Sequence, residues 1–217
     1  MKYYSLLILV FCIVLTSCSK QEINNFQEFD EYINNIKNGL LKSKNINGYN
    51  VSVVYLPKEY LAIKELQTDQ NKNYLHAVKE YGEGLNFILR IEPDGINRTQ
   101  DLILSDVKSY EEYKEKFTLL AFQLREQILI KCGELELVPR IAMMEPVYQL
   151  KSGRDFNIVF APANENERNQ IFSTNQIDFQ FEDNFFSTGM NHFVFDKQDI
   201  QKIPTINLNV NRHELES

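Results

Sequence analysis

Residues 177–182 read Ile-Asp-Phe-Gln-Phe-Glu, and residues 192–196 read His-Phe-Val-Phe-Asp. Apolar and polar side chains alternate without a break in both. A strand turns successive side chains to opposite faces, so each segment is a half-buried strand with its Phe residues inward. Residues 183–191 between them close a hairpin, with Gly189 supplying flexibility. The same period of two runs upstream and predicts strands over 117–124, 127–131, 134–138, 142–150 and 155–160. Cys132-Gly133 and Lys151-Ser152-Gly153 are turn signals between neighbours. Connections this short favour antiparallel pairing, because parallel strands need long crossovers. Residues 162–169 are polar and read as a loop or one helical turn. Ile206, Leu208 and Val210 alternate with Asn207, Asn209 and Asn211 in a last strand.

Before residue 117 helical spacing is prominent. Phe26, Phe29, Ile33, Ile36 and Leu40 recur at steps of three and four, which predicts an amphipathic helix over 26–42. Asn47-Gly48 marks a turn, and the β-branched and aromatic run at 49–56 is a strand ended by Pro57. Pro57 suits the first turn of a short helix reaching residue 66. Residues 74–81 add a further helical turn or two, broken at Gly82 and Gly84, and 85–91 form a strand before the turn Glu92-Pro93-Asp94-Gly95. Ser105 or Asp106 caps a further helix over 107–116, where Glu112 and Lys116 stand four apart.

No repeat and no linker long enough to divide the body is visible. The expected fold class is α+β, with N-terminal helices packed on a mainly antiparallel β-sheet or sandwich. The expected division is a signal peptide over 1–17, a lipidated tether over 18–25, one domain over 26–211 and a polar tail over 212–217.

The 217 residues include 43% hydrophobic side chains, ample for a packed core. The net charge is −7, and no Lys/Arg-dense run appears. Nucleic-acid binding draws on phosphate counterions displaced by Lys and Arg, so no nucleic-acid partner is expected. Attachment to an anionic membrane through a basic patch is disfavoured for the same reason.

The N-terminus offers another route. Lys2 supplies a positive start, and Leu6 to Leu15 is an uninterrupted apolar run of ten residues. A spanning helix needs about 20 residues, so this run has the length of a signal-peptide core. Leu15-Thr16-Ser17-Cys18 follows. This stretch resembles the bacterial lipobox at every position. The resemblance implies diacylglyceryl attachment to the Cys18 thiol, cleavage before Cys18 and acylation of the new amino terminus. Two or more acyl chains anchor stably, whereas one anchors marginally. Ser19 after the modified cysteine favours the outer membrane of a Gram-negative cell under the sorting rule known for such lipoproteins. Cys12 leaves with the signal and Cys18 carries lipid, so Cys132 is a lone thiol, expected as a small core residue.

The body resembles uncharacterised lipoproteins of the Bacteroidetes. The residues that carry this are Tyr-Leu-Pro-Lys-Glu-Tyr at 55–60, Ser-Tyr-Glu-Glu-Tyr at 109–113, Gly-Arg-Asp-Phe-Asn-Ile-Val-Phe at 153–160, and Phe-Phe-Ser-Thr-Gly with the following His-Phe and Ile-Pro over 185–204. None is a chemical motif, so the resemblance bears on location and carries no activity.

Recognisable catalytic patterns are absent. There is no phosphate-cradling glycine loop, no Gly-x-Ser-x-Gly elbow, no His-Glu-x-x-His and no Cys-x-x-Cys. His76, His192 and His213 are the three imidazoles. His192 stands out. On paired strands it shares a polar face with Asp178 and Glu182, and sits near Glu182. Two carboxylates and an imidazole are the groups for a divalent cation or an acid/base pair. The competing reading is a solvated strand face with ordinary charges. The Phe185-Phe186 pair reads as a plug for one end of a sandwich.

The expected protein is therefore a lipid-anchored envelope protein of non-enzymatic type, binding or scaffolding other envelope proteins. No cofactor is expected; the expected partners are the membrane, through the N-terminal lipid, and an envelope protein. Two alternatives stay open: a hydrolase or metal-dependent enzyme using Asp178, Glu182 and His192, and a lipoprotein that binds a small ligand in a cavity inside the sheet.

Overall fold

A computed structural model of the chain describes residues 22–69, 71–82, 84–94, 101–104, 107–146 and 152–206. Cys18, His213, both expected helix caps Ser105 and Asp106, Leu208, Val210 and the tail from 212 lie outside the described residues.

The strands are β1 (Glu22–Ile23), β2 (Leu41–Ile46), β3 (Tyr49–Leu56), β4 (Leu85–Pro93), β5 (Ile128–Cys132), β6 (Leu135–Leu137), β7 (Ile141–Met144), β8 (Arg154–Phe160), β9 (Gln176–Asp183), β10 (Gly189–Asp196) and β11 (Thr205–Ile206). The helices are α1 (Phe26–Asn34), α2 (Lys58–Thr68), α3 (Tyr74–Tyr81), α4 (Tyr110–Phe122), α5 (Glu165–Ser173) and α6 (Lys197–Gln201). The fold is α+β. An antiparallel five-stranded sheet runs in the order β2-β3-β4-β8-β7, and an antiparallel four-stranded sheet in the order β10-β9-β5-β6. β1 and β11 pair in parallel, Glu22 beside Thr205 and Ile23 beside Ile206.

The two larger sheets face each other. Val51 and Val53 of β3, Phe87, Leu89 and Ile91 of β4, and Phe156, Ile158 and Phe160 of β8 meet Ile128 and Ile130 of β5, Phe179 and Phe181 of β9, and Phe193 and Phe195 of β10. Each set alternates along its strand, as period two requires. Phe87 is the hub. Its ring lies 5.2 Å from Phe179, 5.4 Å from Phe195, 5.4 Å from Tyr55 and 5.9 Å from Phe160. These contacts are tilted or edge-to-face, the arrangement that the ring quadrupole favours. Phe186 is buried and packs on Tyr49, with the Lys116 ammonium 4.9 Å from its ring. The Phe185-Phe186 pair thus closes the core, as the plug reading expects.

The other face of β3 is also covered. Val54 and Leu56 pack with Leu40, with Phe29 and Ile33 of α1, and with Tyr60 and Ile63 of α2. The five-stranded sheet is therefore a middle layer at this end.

Several boundaries differ from the sequence expectation. The helix over 26–42 ends at Asn34, and a 3₁₀ turn over Ile36–Asn38 leads to Gly39 at φ 77°. Leu40 then enters the core and Leu41 opens β2. The positive φ requires glycine here, and a Cβ at Gly39 would also have to displace the Asp199 side chain. The stretch 117–124 is helix and not strand: α4 runs through it to Phe122 and a 3₁₀ turn continues to Gln127. Ser109 caps α4 by accepting from the Glu112 N–H, and the Glu112 carboxylate accepts from the Lys108 N–H. That reciprocal capping fixes the start of the helix at Tyr110, three positions past 107. Residues 165–173 form helix α5, capped by Asn164, where a loop or single turn is expected. Ile23 is buried, so β1 belongs to the folded body and not to a tether over 18–25.

Phe87→Ala is expected to lower the unfolding free energy by about 3–5 kcal/mol, the usual cost of deleting a buried aromatic ring. Phe122→Ala, at a side chain that is 77% exposed, is expected to stay within ~0.5 kcal/mol. Urea unfolding of the two variants beside the parent checks both.

Candidate functional site

The β9–β10 hairpin forms in the expected sense. Its register sets His192 opposite Gln180, Val194 opposite Asp178 and Met190 opposite Glu182. His192 therefore has two carboxylates at its diagonals. It takes one: Nδ1 lies 2.9 Å from Asp178 Oδ2. A carboxylate can only accept here, so Nδ1 carries the proton. Gln180 Nε2 donates to the same oxygen at 2.7 Å. Asp178 Oδ1 is buried without a hydrogen-bond partner. The expected neighbour of His192 was Glu182; the structure brings Asp178 to it instead. Among the described residues, no three His, Cys, Asp or Glu side chains group closely enough to hold a metal ion.

The neighbouring outward positions on this sheet are Leu129, Lys131, Gln176 and Gln180, with Met190 and Val194. None offers a hydroxyl or thiol. Among the described residues, the Asp178–His192 dyad thus orients an imidazole with no hydroxyl or thiol beside it on this face, and the neighbouring Lys131 amine pairs with Glu136. The dyad's side chains are 25% and 48% exposed, which makes the pair worth about 0–1 kcal/mol. His76 pairs with Glu80 at 3.5 Å on the exposed face of α3.

The loop of the hairpin is shorter than expected, because β9 runs to Asp183 and β10 starts at Gly189. Asp183 is buried and holds the loop closed. Its carboxylate accepts from the backbone N–H groups of Phe185, Phe186 and Thr188, and from the Thr188 hydroxyl at 2.6 Å. Charge-assisted bonds of this kind satisfy a buried carboxylate without any ligand.

Cys132 is buried at the end of β5. Burial disfavours the thiolate and pushes its pKa up to about 11. It is a core residue, as the sequence suggests.

A further feature has no single-motif signal. An open cleft of about 470 Å³ lies between the first turn of α2, the start of α3, the bend at Gly82 and Gly84, and the segment from Ile200 to Ile206. Tyr55, Glu59 and Tyr74 stand in its wall, with Phe172 of α5. Burial, and then the charge of Glu59, push the Tyr55 phenol up to about 12; the same two causes raise Tyr74. These residues come from five separate stretches of chain, so only the fold assembles them.

No family model matches the chain. No curated protein matches it. Among solved structures, a protein of unknown function from Burkholderia pseudomallei K96243 is similar over 87% of this chain and 96% of that one, at 7% identity and a TM-score of 0.34. At that score the likeness carries no functional information.

Two outcomes are expected. His192→Ala should shift stability by no more than ~1 kcal/mol, and titration with zinc should find the same affinity in variant and parent. Cys132 should react with a disulfide reagent at pH 8 only after denaturant is added, since a folded thiol with a pKa near 11 is almost wholly protonated there; prompt labelling of the native protein would contradict its burial.

Proposed function

We propose that this chain is a lipid-anchored cell-envelope protein of non-enzymatic type, held in the outer membrane of a Gram-negative bacterium and binding or scaffolding other envelope proteins. The observation that carries the reading is the run from Lys2 through the apolar residues 6–15 to Leu15-Thr16-Ser17-Cys18. A positive start, an apolar core too short to span a bilayer, and small residues before a cysteine each have a part in export and lipidation. The dyad of Asp178 and His192 has no hydroxyl or thiol beside it among the described residues, and the imidazole pairs with Asp178 and not with Glu182. No helix among the described residues is long and apolar enough to cross a membrane. The described body begins at Glu22, four positions after Cys18, so an acylated Cys18 would hold it close to the bilayer surface.

Cys18→Ser is expected to stop palmitate incorporation, leave the precursor uncleaved and reduce the amount extracted with the outer membrane. A variant that still fractionates as a mature, membrane-bound protein of parental mass would remove the anchor from this account. Crosslinking in intact cells, followed by gentle extraction, is expected to recover a stoichiometric envelope protein with the parent chain.

A further inference from the structure

We propose that the cleft between α2, α3, α5 and the segment Ile200 to Ile206 binds a small organic cation: an ammonium group carried on an apolar body. The site is independent of the lipid anchor and of the His192 face.

The cleft has the size for it. Its volume of about 470 Å³ lies within the range of roughly 300–1,000 Å³ typical of small-molecule sites. Its wall divides chemically. Ile200, Ile203 and Ile206 supply the apolar part, with Leu85. Tyr55, Tyr74 and Phe172 supply three aromatic rings, and Glu59 is the one acidic side chain among the described lining residues. The faces of aromatic rings carry negative potential, and rings beside a carboxylate are the chemistry that selects ammonium groups.

The charge on Glu59 is the discriminating element. It acts on the phenols of both Tyr55 and Tyr74, so its negative field spans the cleft between them. Glu59 makes no ion pair or hydrogen bond with any described residue. The hydroxyls of Tyr55 and Tyr74 likewise have no hydrogen-bond partner there. A half-buried carboxylate and two phenols left open in one cleft are groups that a ligand can satisfy.

The opposing features are Lys58, the Arg168 guanidinium, which lies 5.9 Å from the centre of the Phe172 ring and covers one of its faces, and the first turn of α2. Pro57 provides no side-chain cap for that helix, so its first N–H groups favour an anion. Lys58 is exposed, however, and its stem runs beside Gly82 at the rim. Water screens an exposed ammonium more than the half-buried carboxylate. The cleft is therefore expected to choose a cation over an anion of the same shape.

Three probes of equal shape test this: cyclohexylmethylammonium, cyclohexylmethanol and cyclohexanecarboxylate. Each would be titrated by calorimetry into the full chain, extracted in a nonionic detergent. The ammonium probe is expected to bind at least tenfold tighter than the alcohol, and the carboxylate more weakly than either. Glu59→Gln should remove that preference with the melting temperature close to the parent's. Phe172→Ala, at an exposed ring that leaves the fold unperturbed, should weaken the ammonium probe several-fold and gives a second test if Glu59→Gln misfolds. Equal binding of ammonium and alcohol, a preference for the carboxylate, a preference that survives Glu59→Gln, or no binding of any probe would each overturn the proposal.

Discussion

The five-stranded sheet is covered on both faces where β3 crosses it, and the architecture depends on that double burial. Antiparallel sheets commonly keep one face in water. Here Val51 and Val53 point to the inter-sheet core, and Val54 and Leu56 point to α1 and α2. Four consecutive residues of β3, Val51 to Val54, are buried, Ser52 among them. The sheet becomes a wall between two cores. Phe87 gathers four aromatic rings on one side of it, while Tyr60 on the other stacks on Phe26 at 5.1 Å and donates to Asp30 at 2.7 Å. The four-stranded sheet and the helices each bury a face only because β3 and β4 present one to both.

That middle layer explains what the sequence could tell. The strands that form the four-stranded sheet alternate cleanly, since one side of that sheet meets the core and its Asp178, His192 and Val194 side stays accessible. The hairpin at 176–196 is legible for this reason. The stretch 117–124 is harder. Phe117, Leu119, Leu120 and Phe122 suggest a strand, yet Tyr113, Leu120 and Leu124 are the side chains that meet the core, at helical steps of seven and four. A period-two pattern starting at Phe117 begins inside the helix and hides its repeat. Helix α5 hides for the opposite reason: of its nine residues only Ile171 is buried, so it has almost no apolar stripe to read. The run to Leu40 deceives in a third way. Leu40 lands at the helical step after Ile36, but it reaches the core from a strand after the left-handed turn at Gly39, while Ile36 is 59% exposed.

The candidate sites divide along the same line. Neighbouring strands bring Asp178 and His192 together, and local alternation foretells that they share a face. It does not foretell which diagonal the imidazole takes, because Asp178 and Glu182 are equivalent in the pattern. Contact with Asp178 depends on side-chain geometry, with Gln180 donating to the same oxygen. The cleft around Glu59 was beyond such reading altogether. Its members lie at sequence separations set by the packing of two helices against the chain's last described segment.

The parallel pair of β1 and β11 has a mechanical meaning. In a chain tethered through residues before Glu22, tension would enter the body at the described rungs Glu22–Thr205 and Ile23–Ile206, backed by the buried side chain of Ile23. These rungs lie ahead of both antiparallel sheets along the chain, so they would be loaded first. The first extension under tension would be the release of this pair and the straightening of the chain towards α1, leaving both cores intact. Under such a tether the separation between body and attachment would be set by this pair, and not by the two cores.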